Sequence, residues 1–227
     1  MKDAQGNLVL GRTRWRRFAV VLAPAIAAAG LMVAGIANGA IPLSFAVSGS
    51  TFKVSADTLD GTGFVQYGGF AAQPGGRTIP IGNGVTIPDP SDTDHNHAIA
   101  VSGIKSATLT NLCQSVTVPG TPFSLVIRAG RSAGSPVTAT DLMIGMTSLT
   151  GDATFGNIAI GQDASTLTGG PSIAKGLPGG FGQQAETVHI DHLKQIAWST
   201  SAGTFTLNGL DMHVSTSGEE CFPTPTQ

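Results

Sequence analysis

The spacing in this 227-residue chain that most suggests chemistry is Gly130-Arg131-Ser132-Ala133-Gly134, a match to the nucleophile-elbow pattern Gly-x-Ser-x-Gly. In such an elbow the small neighbours allow a sharp turn that exposes the serine hydroxyl. A serine nucleophile needs a base within reach and a carboxylate to orient that base. Asp163, His189, Asp191, His192 and His213 all follow Ser132, so the order Ser, Asp, His is available. This nominates Ser132 as nucleophile, His192 or His189 as base, and Asp163 or Asp191 as orienter. Each has a plainer reading. With 31 glycines in the chain, a loop serine between glycines arises readily from composition. In Gly161-Gln162-Asp163-Ala164-Ser165 the carboxylate is placed to bond its own turn. On a strand, His189 and Asp191 would share one face as a surface pair, with His192 beside Ile190 on the other.

The second cluster is Asp92-Thr93-Asp94-His95-Asn96-His97, preceded by Asp89. Asp92, Asp94, His95 and His97 combine hard oxygen and imidazole ligands that could reach one Ca²⁺ or Zn²⁺. A helix-flanked calcium loop would need a glycine at its bend and a closing glutamate, and neither is present. The plainer reading is a solvated acidic loop, and no cofactor is expected. Cys113 and Cys221 are the only cysteines. Outside the cytosol such a pair reads as a disulfide pinning the C-terminal tail.

The elements that must position these residues are strands. Period-two alternation recurs from Ile41 onward, as in Phe52-Lys53-Val54, Phe123 to Ile127, Val188-His189-Ile190 and Leu210 to Val214. Helical periodicity is nearly absent there. Two interruptions, residues 73–97 and 166–182, are rich in Gly and Pro, the kind of loop on which a β scaffold carries function. Only 11% of residues are charged, which suits a strand-rich exported domain with a Ser/Thr/Gly surface. The expected fold is all-β, a sandwich or irregular β-solenoid-like body, following an N-terminal hydrophobic helix.

That helix lies in residues 1–40, a signal peptide or signal anchor, with 41–227 the exported domain. Arg12, Arg14, Arg16 and Arg17 precede an uncharged run from Phe18 to Ala37. A helix of about 20 residues covers the hydrocarbon core of a bilayer, with the arginines kept on the cytoplasmic side. Small residues ending at Ala37 and Ala40 would allow cleavage. The product is then either secreted or anchored to the outer face of the cytoplasmic membrane, touching the membrane through this helix. The remainder carries seven basic and thirteen acidic residues. Without a basic stripe it offers nucleic acid no footprint.

Several phrases are carried along the length: Ile41-Pro42-Leu43-Ser44-Phe45-Ala46-Val47-Ser48-Gly49, Phe52-Lys53-Val54-Ser55-Ala56, Ile160 to Leu167, and Phe181-Gly182-Gln183-Gln184-Ala185. In these the chain resembles a family of exported actinobacterial proteins of largely unknown function, whose members are often named cholesterol esterase. The resemblance implies a lipid-directed protein with a lipid or sterol ester as partner, and brings no catalytic residues with it. Two functions follow as expectations. One is a carboxylic-ester hydrolase of cholesterol esterase type. The other is a non-catalytic lipid-binding or structural protein of the cell envelope.

Overall fold

A computed structural model of the chain describes residues 44–46, 49–82, 85–132 and 134–223. The leader at 1–40, with its expected hydrophobic helix and membrane contact, lies outside them. Among the described residues no helix is long and apolar enough to cross a membrane. The body is all-β, with strands β1 (Ser44–Ala46), β2 (Phe52–Ala72), β3 (Thr78–Gly82), β4 (Val85–Pro88), β5 (Asn96–Thr110) and β6 (Leu112–Thr117). They are followed by β7 (Ser124–Ala129), β8 (Val137–Gly156), β9 (Ala159–Asp163), β10 (Phe181–Ser201), β11 (Thr204–Thr206) and β12 (Asp211–Ser215). Among the described residues one 3-10 turn, Ala164–Thr166, is capped by Asp163.

Four of these strands are long, and their pairings form a circuit. β2 pairs with β5, β5 with β8, β8 with β10, and β10 with β2, every pair antiparallel. The sheet therefore closes on itself, which removes edges along its middle. The inner side holds Leu59, Phe64, Ile104, Leu109, Val137, Leu142, Met146, Val188, Ile190 and Leu193, all buried. Strict alternation cannot persist over strands of 15 to 21 residues. On β2 the inward positions run Val54 and Ala56, then Leu59, then Phe64, so their parity changes twice. Comparable shifts occur near Asn111 (φ 50), Asp141 (φ 48) and His192 (φ 55), which adopt the left-handed conformation. Asn, Asp and His tolerate that region better than other side chains. Each kink re-aims the next stretch inward while the strand bends.

Both outer flanks carry a cover. Over Val65, Tyr67, Ile99, Val101 and Met143 lies the segment after the 3-10 turn, contributing Leu167 and Ala174. It lies flat because its glycines have no side chains: a Cβ on Gly170 would collide with Val65, and one on Gly176 would meet Ala164 at 2.6 Å. Burial there pushes the Tyr67 hydroxyl up to about 12. At the far end, β6 runs on beyond β5, β7 pairs with β6, and β12 pairs with β7. This three-stranded extension is covered on its outer side by the C-terminal tail. Cys113 and Cys221 form the expected disulfide. The buried Lys53 ammonium donates to Glu220 at 2.6 Å and to the Phe222 carbonyl at 3.0 Å.

Candidate functional site

Ser132 occupies the excursion between β7 and β8, exposed on a turn closed by the Ser135 amide donating to the Ser132 carbonyl at 3.1 Å. Gly130 (φ 67) opens that turn in a conformation that a glycine adopts freely. A strand follows it, whereas a nucleophile elbow leads into a helix. The nominated histidines are engaged elsewhere. His189 Nδ1 lies 2.6 Å from Asp60 and its Nε2 3.1 Å from Asp191. His192 Nδ1 lies 3.2 Å from Asp152. Among the described residues each of these histidines bonds carboxylates, and neither bonds Ser132. His189 and Asp191 do share a face. His192 does not join Ile190, however: its positive φ coincides with a register shift between β10 and β8, and Leu193 takes the inward place. The His192 side chain is 80% exposed.

His189 ties β10 to β2 through Asp60. Hydrogen bonds that the His189 ring donates to Asp60 and then to Asp191 raise its pKa. Asp60 and His189 line an open depression of about 480 Å³ whose rim is largely hydroxyl-bearing, with Thr62, Thr108, Thr154 and Thr187. Asp163 accepts the Gly179 and Ser165 amides and the Ser165 hydroxyl at 2.7 to 2.9 Å, which holds its carboxyl below the ordinary range. It locks the turn rather than orienting a histidine.

The residues of the 92–97 cluster part company. Asp92 accepts the Arg77 amide at 2.8 Å and pairs with His95 at 3.0 Å, contacts that lower its pKa. Asp94 is exposed in the same loop. His97, on β5, stacks on Trp198 with ring centroids 4.2 Å apart and lies 2.9 Å from Gln73 Nε2. Among the described residues no group of three or more His, Cys, Asp or Glu side chains is gathered as a metal site.

Two features at the β6–β7–β12 extension stand out beyond the residues nominated from sequence. The first is a chain of alternating charge on its covered side. Arg131 meets Asp211 at 3.0 Å, Asp211 lies 3.6 Å from His213, His213 meets Glu219 at 3.2 Å, and Glu219 meets Arg128 at 2.7 Å. His213 first and Arg128 second hold the Glu219 carboxyl below its ordinary range. Only the Asp211-x-His213 alternation hinted at this in sequence. The other partners depend on the disulfide bringing the tail back.

The second feature is the opposite side of the same three strands. Directly paired residues point the same way, so Val116, Leu125 and Val214 form one row. Gln114, Ile127 and Met212 form the next. Leu112 and Ala129, one step further along, belong to the core, so these rows continue the core side past the point where the circuit ends. There Val116, Leu125 and Ile127 are half-buried, and the β12 residues on this side are exposed. Val214 is 66% exposed, Met212 54% and Leu210 50%. Phe123 and Val118 extend the apolar rim. Ser132 follows β7 by three residues, and its neighbour Arg131 is tied to Asp211 on the covered side.

No curated protein and no solved structure matches the chain. A family model described as a family of unknown function (DUF6230) matches residues 48–222, from just before β2 to the end of the disulfide-tied tail. The match covers the whole closed sheet and both of its covers, and the chain therefore belongs to the DUF6230 family.

Proposed function

We propose that this is an exported, non-catalytic lipid-binding protein of the cell envelope, its ligand an acyl chain or sterol ester lying on the open side of β6, β7 and β12. One observation carries the reading: Val116, Leu125, Ile127, Met212 and Val214 share one apolar side of the extension, on which Met212 and Val214 are more than half exposed among the described residues. Exposed contiguous apolar surface marks an interaction site. A disulfide in so small a body agrees with an oxidising compartment. The arginine-led apolar leader agrees with export, leaving the domain secreted or held at the outer face of the membrane.

Ester hydrolysis of the cholesterol esterase type is the second reading, and one observation favours it. Ser132 is exposed on the turn that follows β7, the strand that carries Leu125 and Ile127. It lacks a base among the histidines nominated for it.

The test uses the oxidised full chain with a cholesteryl ester in mixed micelles, scoring bound ester and released fatty acid. The lipid-binding reading expects ester bound without turnover, and binding lost when Leu125 and Ile127 are both changed to Asn. Turnover abolished by Ser132→Ala in a folded protein would put the esterase in its place. Neither binding nor turnover would reject both.

A further inference from the structure

We infer that two copies of this chain associate through β12, edge to edge and antiparallel, with Met212 on the two-fold axis. β12 ends the sheet path, and among the described residues it pairs only with β7. Its other side therefore presents unpaired backbone donors and acceptors, a template for another strand. Natural edges are blunted by lysine, proline or a bulge. Asp211-Met212-His213-Val214-Ser215 has neither residue and pairs with β7 without a register shift. The opposite edge differs: β9 is bulged against β10 between Gly182 and Gln183.

The occupant follows from the strand's own pattern. An antiparallel pair centred on Met212 sets Met212 against its copy and Leu210 against Val214, all on the apolar side. On the other side it sets Asp211 against His213 twice, once in each direction. An imidazole N–H directly across a strand pair from a carboxylate can donate to it, and apolar partners pair favourably. Centring on His213 would instead place the two imidazoles against each other, a like-charge contact once they are protonated. The strand is thus complementary to itself in backbone, apolar surface and hydrogen-bonding side chains. An isologous two-fold contact requires that property, and it closes at two subunits. The pairing would also join the two open faces into one sheet of six strands, β6-β7-β12 followed by the same three reversed. The inference does not rest on the lipid reading, because the contact is made by the strand edge.

Sedimentation of the full chain in mild detergent, without added lipid, tests it. Wild type is expected as a dimer and Val214→Lys as a monomer with an unchanged β-sheet circular dichroism spectrum. Association through the leader would be untouched by that substitution, so a dimer that survives it overturns the inference, as does a monomeric wild type. Register supplies a second readout. Residues directly opposed in an antiparallel pair have Cα atoms about 4.5 to 5.5 Å apart, within disulfide reach. Mild oxidation should convert the Met212→Cys variant to a covalent dimer and leave the Val214→Cys variant uncoupled, with Cys113–Cys221 intact by mass spectrometry. Equal coupling of the two variants, or none in either, would contradict the proposed register.

Discussion

The closed circuit of β2, β5, β8 and β10 and the β6–β7–β12 extension are built from the same alternation, but they end differently. In the circuit, inward residues meet others from across the sheet, and Leu193, Met146 and Val137 are almost wholly buried. In the extension, the same side carries Leu125 and Ile127, only half-buried, and Met212 and Val214, more than half exposed among the described residues. Its outer side is the one that is finished, by a tail held through Cys221, Glu219 and Glu220. Val126 of β7 is fully buried under that tail while its neighbours Leu125 and Ile127 are only half-buried. An apolar residue in a strand thus specifies a face, and the topology decides whether that face becomes core or remains available to a partner.

Substitutions can break this contrast. The largest effect is expected at the disulfide. Cys113 and Cys221 are 108 residues apart, and a closed loop near that length is worth about 4 to 5 kcal/mol in the chain-entropy model. Cys113→Ser with Cys221→Ser should lower the denaturation free energy by about that amount. Hydrogen exchange should show the outer face of β6 and β7 opening before the circuit does. Simultaneous exchange throughout would mean that the tail is not an independent cover.

Next come matched truncations. Leu193→Ala, in the circuit, should cost about 2 to 5 kcal/mol because it leaves a cavity. Met212→Ala, on the open face, should stay within about 0.5 kcal/mol. Urea midpoints of the two variants check this, and equal losses would show that the open face is packed after all.

The smallest effect is a pH dependence. The His189 pKa is raised above its ordinary 6.5 by Asp60 and Asp191. Its contribution is therefore fully present below that ordinary value, while the carboxylates remain ionised, and is lost as pH rises through the raised one. The melting temperature of His189→Ala should fall below wild type in mildly acidic buffer and converge with it in alkaline buffer. A constant difference would mean that the tie between β2 and β10 does not depend on charge.

Local features were legible in the sequence and long-range ones were not. Alternation announced the strands, the lone cysteine pair announced the disulfide, and Gly161 to Ser165 announced the turn that Asp163 locks. His189 and Asp191, two apart on a strand, were readable as a same-face pair. The placement of His192 was not, because a kink that reverses parity depends on matching kinks in neighbouring strands. Asp60, the first cause of the raised His189 pKa, is 129 residues away in sequence. The Glu219 contacts with Arg128 and His213 likewise exist only because the tail folds back over β7. The open apolar face was hidden for the same reason: Phe123 to Ile127 and Leu210 to Val214 look like core strands until the circuit is seen to close without them.

The most direct measurement is photolabelling of the oxidised full chain with a cholesteryl ester bearing a diazirine in its acyl chain, followed by peptide mapping. Adducts confined to peptides containing Val116 to Ile127 and Leu210 to Val214, and lost when Leu125 and Ile127 are changed to Asn, are the predicted result. Adducts spread over the threonine-lined depression at His189 and over the Leu167–Ala174 cover, or no adducts at all, would contradict it.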